Sequence, residues 1–394
     1  MILPISDRVK RIKPSPTIAV SMRAAELKAA GHDVIGLGAG EPDFDTPEHI
    51  KQAAIQAIQE GFTKYTAVDG TVELKRAIID KFKRDNELDY QLDQVLVSTG
   101  AKQTLFNLCQ AVLGAGDEAI IPAPYWVSYP DIVLLSDATP VSILAGAEQG
   151  FKITPGQLAD ALNEKTRMMF LNTPSNPTGV VYTRDELVAL GEVLDKYPNV
   201  VIATDDMYEH IYWGDAPFVS FAQACPQLYN RTVTINGVSK AYAMTGWRIG
   251  YCGGPEPIVK AMKKIQSQST SNPVSISQKA AVAALNGDQS CLAMMAGAFK
   301  ERHDFVVKSL NNIKGVKCLT SDGAFYAFPD MREAIANTPG IEDDVQLAEF
   351  LLVEAGLAFV PGSAFGAPGY LRLSYAIDMD TLTDAMERLK QCLG

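Results

Sequence analysis

The run Thr234-Ile-Asn-Gly-Val-Ser-Lys240-Ala-Tyr-Ala-Met-Thr-Gly-Trp-Arg248-Ile-Gly-Tyr251 sets a β-rich segment directly before a lysine, and an arginine follows eight residues on, past a glycine turn. Working outward, β-rich runs at 94–97, 119–121, 167–171, 200–204, 232–235 and 249–252 alternate with helical patterns from about Thr46 to Asn286, and each run ends in a loop rich in polar residues or glycine. That alternation predicts strand-helix units building a mainly parallel sheet with helices on both faces. In such sheets ligands sit beyond the carboxyl ends of the strands, so these loops are where chemistry should collect. Past Gly287 the pattern changes to a long helix over about 289–312. Short strands at about 325–328, 358–360 and 370–374 follow, with helices near 345–354 and 380–392. The expectation is an α/β chain in two parts: a large domain over 46–288 and a smaller α+β domain over 289–394, which residues 1–45 join.

With 394 residues, 47% of them hydrophobic and 21% charged, the chain is long enough for two packed domains and is neither disordered nor fibrous in composition. A net charge of −11 argues against a non-specific nucleic-acid binder but leaves room for a local basic pocket. The six cysteines (Cys109, Cys225, Cys252, Cys291, Cys318, Cys392) are scattered without a Cys-x-x-Cys pair, and the four histidines show no metal-ligand spacing. Free thiols in a reducing compartment and no metal are expected. The start MILPISDRVKRIKPSP is broken by Pro4 and lacks the apolar core of a secretory signal, and no run of eighteen apolar residues occurs, so the expectation is a cytoplasmic protein without a membrane span.

Several segments carry candidate chemistry. Val200-Val-Ile-Ala-Thr-Asp205-Asp-Met-Tyr208 is a strand ending in acids. Ser98-Thr-Gly100-Ala101-Lys102-Gln-Thr104 opens a helix straight after a strand, and a helix N-terminus presents free N–H groups to an anion. Asn172-Thr-Pro-Ser-Asn176-Pro-Thr-Gly179 has the composition of a turn. The glycine run Gly36-Leu-Gly-Ala-Gly40 does not fit a dinucleotide fingerprint, because its third glycine is misplaced and Glu41-Pro42 follows where a helix should begin.

From Lys13 to the C-terminus these segments resemble, in order, the class I and II aminotransferases, pyridoxal-phosphate (PLP) enzymes of fold type I with a seven-stranded sheet, and among them the bacterial aspartate and aspartate-prephenate branch. The resemblance implies that Lys240 holds the cofactor as a Schiff base and then moves the proton between substrate and cofactor. For that it must be a free amine, and bringing a lysine from a pKa of about 10.4 to roughly 7 takes about 4 to 5 kcal/mol, which a partly desolvated pocket beside cations could supply. By the same resemblance Asp205 of the Asp-x-x-Tyr pattern, rather than Asp206, keeps the pyridine nitrogen protonated. Tyr208 and Asn176 share the phenolic oxygen. Gly100, Ala101, Lys102 and Arg248 serve the phosphate, Arg248 as a bidentate clamp. Trp126, in Ala123-Pro-Tyr-Trp126-Val-Ser-Tyr129, stacks on the ring, and Tyr65, in Thr63-Lys-Tyr65-Thr, reaches the phosphate across a homodimer boundary. Gly237 departs from the family, many of whose members carry a phosphate-bonding serine there.

On the substrate side, Arg372 in Tyr370-Leu-Arg372-Leu-Ser-Tyr-Ala376 matches the arginine that grips the α-carboxylate, with Gly40, Trp126 and Asn176 nearby. Gln266-Ser-Gln-Ser-Thr-Ser-Asn272 stands where vertebrate-type members have a second-carboxylate arginine. The resemblance gives that role to Lys102, and a contact to prephenate to Thr17. The alternatives are that Lys102 serves only the phosphate and that Thr17 caps the helix beginning near Ile18. The implied reaction is ping-pong transamination through pyridoxamine phosphate, between L-aspartate or glutamate and a 2-oxo acid such as 2-oxoglutarate or oxaloacetate, with prephenate to arogenate as a further activity. A PLP lyase or synthase of the same fold, or a non-catalytic PLP-binding regulator, are the other readings.

Overall fold

The computed structural model describes residues 4–394, so the apolar start of the chain lies outside the described residues. Its strands are β1 Ile35–Gly36, β2 Val95–Ser98, β3 Glu118–Ala123, β4 Thr139–Leu144, β5 Thr166–Asn172, β6 Val201–Asp205, β7 Thr232–Gly237, β8 Gly250–Gly253, β9 Tyr326–Ala327, β10 Leu357–Ala358, β11 Val360–Pro361 and β12 Leu371–Ser374. Seven form the large sheet in the order β2-β8-β7-β6-β5-β3-β4. All pairs are parallel except those of β8, which runs antiparallel to both β2 and β7. β2, β7 and β8 are buried along their whole length, as strands covered by helices on both faces must be. In β2 the side chains alternate between two cores: Val95 and Val97 pack with Leu74, Ile78 and Phe82 on one face, while Leu96 packs with Leu105, Leu108 and Met262 on the other.

Six of the seven large-sheet strands fall where expected, with ends moved by one or two residues. The seventh, β4, had no counterpart in the sequence reading. It carries Pro140, has mostly exposed or half-buried side chains and pairs only with β3. A proline that cannot donate to the ladder is tolerated at such an edge and masks the strand pattern.

In the smaller part β1 pairs with β10, so the N-terminal segment joins the C-terminal region, and β11, β12 and β9 form an antiparallel sheet. The single strand expected at 358–360 is two, separated by Phe359, because β10 and β11 pair with different partners. The helices Ser290–Asn311, Asp344–Glu354 and Met379–Leu393 lie where the sequence placed them. The N-terminal helix is Pro16–Ala29, beginning two residues before Ile18, with proline in its first turn. All six cysteines are free thiols, and among the described residues no helix is long and apolar enough to cross a membrane.

The turn after β6 is tied down by a buried charge cluster. Lys81, fully buried on the Val72–Asn86 helix, pairs with Glu209 and donates to Asn86 Oδ1 at 2.7 Å. Glu209 also accepts from Asn86 Nδ2 and from Asn236 Nδ2 on β7, each at 2.7 Å. Removing one partner of such a pair strands a buried charge, so Lys81→Met should cost about 3–5 kcal/mol. Urea unfolding should show a clearly lower midpoint for that variant, and adding Glu209→Gln should restore part of it.

Candidate active site

The register of the parallel strands sets the floor of the site. Asn172 at the end of β5 pairs with Asp205 at the end of β6, and Asp205 pairs with Ile235 of β7, so the ends of β5 and β6 come level while β7 runs on to Gly237. Asn172 Nδ2 donates to the Asp205 carbonyl (2.8 Å), and Asn172 Oδ1 accepts from the Asn176 amide (2.7 Å), which binds the turn to the strand ends. The Asp205 carboxylate is buried and accepts from Tyr129 Oη at 2.7 Å and from the Met207 amide at 3.4 Å. Burial pushes its pKa up, against the lowering effect of Tyr129, Met207 and Lys240. Asp206 does not line the cavity. Its carboxyl is fully buried without a hydrogen-bond partner and is pushed well above the ordinary range, mainly by burial and next by Glu209.

Lys240 lies in the loop after β7, and its Nζ donates to the Gly40 carbonyl. Burial brings its pKa down to about 8, with Arg248 and Arg372 adding to the effect and Glu41 and Asp205 opposing it. Arg248 adopts the left-handed conformation (φ 54°) and donates from Nη1 to Thr245 O at 2.7 Å. Its guanidinium lies against Gly100, the cap of the Ala101–Val112 helix. Gly100 has φ +83°, and a Cβ there would come within 2.9 Å of Arg248 Cζ. A Cβ on Gly250 would likewise meet the Gly100 carbonyl carbon at 2.5 Å, so a side chain at either glycine would part the arginine loop from the helix N-terminus.

Arg372, 2% exposed on β12, donates from Nη1 to Asn176 Oδ1 (2.9 Å) and from Nη2 to Gly38 O (2.6 Å). Its guanidinium lies between the rings of Tyr326 (4.6 Å to the centroid) and Phe365 (5.0 Å), and its Nε has no partner. Tyr208 Oη and Tyr326 Oη are 2.9 Å apart. The Lys102 ammonium stands 5.0 Å from the centre of the Trp126 ring, and its pKa is lowered by burial and by Arg248.

These groups surround a cavity of about 270 Å³. It brings together Thr17, Gly40, Ala101, Lys102, Trp126, Asn176, Asp205, Tyr208, Lys240, Arg248 and Arg372, all read from the sequence, with Ser15, Ile18, Asn172, Ser239 and Tyr326 among the further lining residues. Gly100 lies just behind Arg248, whereas Tyr65 is 92% exposed and does not line the cavity. Thr17 is not the helix cap: Ser15 holds that position, without a side-chain bond, and Thr17 sits within the first turn. Tyr326 and Tyr129 went unread because a tyrosine in Phe325-Tyr326-Ala327-Phe328, or one turn past Trp126, has the pattern of an ordinary core aromatic.

Four lining side chains of basic type, Lys102, Lys240, Arg248 and Arg372, face one lining carboxylate, Asp205. With the N-terminus of the Ala101–Val112 helix and the unpartnered Arg372 Nε, this donor set fits a cofactor bearing a phosphate together with a carboxylate substrate. It offers no comparable site for a metal. Asp85, Glu209 and His210 do bring ligand-type atoms within 4.8 Å of one another, but Lys81 already supplies the positive charge beside them.

The chain belongs to the class I and II aminotransferase family, whose model matches residues 32–389, and it is an aminotransferase. It is 59% identical to the aspartate/prephenate aminotransferase of Nitrosomonas europaea over 99% of this chain and 100% of that protein, and 56% identical to that of Cereibacter sphaeroides over 99% of each. Among solved structures it is similar to the aspartate aminotransferase of Rhizobium meliloti (TM-score 0.96, 50% identity, 99% of each chain) and to that of Thermus thermophilus with maleate (TM-score 0.93, 40% identity, 99% of this chain and 100% of that one).

The depressed pKa of Lys240 can be read directly. In cofactor-free protein, acylation of Lys240 by a small amine-reactive electrophile such as acetic anhydride, which loses acetate as the amide forms, followed by peptide mass spectrometry across pH, should have its midpoint near 8. Reaction should fall away below that pH, where the amine is protonated. An exposed lysine should titrate at about 10.4.

Proposed function

We propose that the cofactor is PLP and that the reaction is ping-pong transfer of an amino group from L-aspartate or glutamate to a 2-oxo acid such as 2-oxoglutarate or oxaloacetate, with prephenate as a further acceptor. The observation that carries this reading is Lys240: a half-buried lysine whose amine is brought down to a pKa of about 8, set between two arginines and a carboxylate in one cavity. PLP, when bound, supplies a carbonyl carbon that receives the amino group and a pyridinium ring that accepts the electron pair released at the substrate's α-carbon.

The protein's own groups divide the remaining work. Lys240 carries the proton to and from the α-carbon, and Asp205 keeps the ring nitrogen protonated. Tyr208 and Asn176 hold the phenolic oxygen, and Trp126 covers the ring. Arg248 with the Gly100, Ala101 and Lys102 turn holds the phosphate, which gains nothing from Gly237 because that residue has no hydroxyl. Arg372, with Gly40 beside it, takes the α-carboxylate. Its guanidinium plane is already set by Asn176, Gly38 and the two flanking rings.

Lys102 takes the distal carboxylate. Its place in the cavity supports this, as does the solved Thermus thermophilus relative, whose bound maleate is a dicarboxylate. Thr17 contacts prephenate, a reading supported by its place in the cavity wall and by the names of the relatives. Tyr65, its ring in solvent, completes the phosphate site of a second copy in a homodimer. We place the cofactor-binding domain at 46–288, with 1–45 and 289–394 forming the other part, and the protein in the cytoplasm.

Purified protein given PLP, L-aspartate and 2-oxoglutarate should form oxaloacetate, read by coupled reduction, and Lys240→Ala should abolish it. Ammonia release in place of glutamate would overturn the reading. Arg372→Lys, which loses the planar two-point contact, should lower kcat/KM by roughly 10- to 100-fold for every amino and oxo acid. Lys102→Ala should cost about 10- to 100-fold for dicarboxylates while sparing alanine. An equal loss for alanine would assign Lys102 to the phosphate alone.

A further inference from the structure

We propose that Tyr129 is a positioning residue: its hydroxyl, donating to Asp205 Oδ2, holds that carboxylate ionised and aimed so that it can keep the cofactor ring nitrogen protonated. The inference rests on the PLP reading above and adds a residue to it.

Asp205 is buried, and burial alone drives a carboxyl toward its neutral form, in which it could not hold a pyridinium. Hydrogen bonds to the charged form oppose this, and Asp205 has two donors. Met207 N–H stands at 3.4 Å, a long contact, and Tyr129 Oη at 2.7 Å, the spacing of a charge-assisted bond. The other groups facing Asp205 are Lys240, which favours its ionised form, and Tyr208 and Asp206 of its own turn, whose negative forms would oppose it.

The phenol cannot trade places with the acid. Burial and the adjacent carboxylate push its own pKa well above the ordinary range, so it remains a donor throughout the working pH range. Its aim is also fixed. Tyr129 lies on the Ser128–Leu135 helix, fully buried, with its ring stacked on Phe170 of β5 at 4.9 Å and edge-on to Trp126 at 5.3 Å. The residue that covers one face of the cavity and the residue that sets the acid are thereby held by one short rigid segment.

Tyr129→Phe keeps the ring and its stacking and removes only the donor. Absorbance titration of cofactor-free protein with PLP should show a Kd weakened roughly 10- to 100-fold, the value of one bond to a charged group. The acid limb of kcat/KM should move to higher pH, because Asp205 would take up its proton sooner. In an Asp205→Asn background the same substitution should change the Kd by less than about twofold, as expected when one interaction has already been removed. An unchanged Kd and acid limb would overturn the proposal, as would an equal loss in the Asp205→Asn background, since either would mean that Tyr129 acts by packing alone. If Tyr129→Phe does not fold, 3-fluorotyrosine at position 129, a more acidic donor, should move the acid limb to lower pH, and the absence of any shift would again overturn it. Wild-type protein that binds no PLP would instead overturn the functional reading on which the proposal rests.

Discussion

The constraint on which the site depends is the cost of gathering positive charge around one cavity, buried where Arg372 and Asp205 line it and open to water at Lys102 and Arg248. Lys240, Arg248, Arg372 and Lys102 converge on one cavity whose walls hold a single carboxylate. A charge as deeply buried as that of Arg372 costs several kcal/mol unless it is paired or hydrogen-bonded. The chain answers in two ways. Each arginine is held by backbone carbonyls, Arg248 by Thr245 and Arg372 by Gly38, and Arg372 also lies between two aromatic rings. The lysines answer instead by losing proton affinity, most strongly at Lys240. The residual positive field favours a ligand that brings two or more negative groups.

That constraint explains why the fold has the form it has around the site. Parallel strands in register set Asn172, Asp205 and the approach to Lys240 side by side. Antiparallel β8 then returns the chain from Arg248 along β2, whose own end leads into the Gly100 cap, so arginine and helix N-terminus meet. The α-carboxylate arginine comes from the far end of the chain. It is carried on β12, which pairs with β9 and so stands beside Tyr326. The parallel pairing of β1 with β10 brings the N-terminal segment to the same region, and the Pro16–Ala29 helix sets Thr17 and Ile18 in the cavity wall.

Much of this could be read from the sequence because the groups concerned sit at strand ends, where local pattern and chemistry coincide. Lys240, Asp205, Asn176 and the Gly100 turn each follow a β-rich run, and eleven of the residues so read line one cavity. What could not be read depends on distance along the chain. Tyr129 is 76 residues from the acid it touches, and Tyr326 lies 118 residues from Tyr208, so no local pattern separates them from ordinary core aromatics. The same limit applies to β4, whose proline hides an edge strand, and to the break at Phe359, where two strands are told apart only by their partners. Tyr65 is a different case: its ring lies outside the cavity, and a role at a phosphate would require a second copy of the chain.

Burial acts on the two central groups with one sign in energy and opposite consequences for chemistry. It favours the neutral form of each, and for Lys240 that is the useful form, since an amine with a pKa near 8 can accept a proton at working pH. For Asp205 the neutral form is useless, since a protonated acid cannot hold a proton on a ring nitrogen. The same cavity therefore requires different surroundings at its two ends. The lysine has two arginines near it and a carbonyl at its nitrogen, whereas the acid has a phenol fixed at hydrogen-bonding distance. A site that merely excluded water would have produced the base and lost the acid. The tyrosine on the floor lets one cavity keep both.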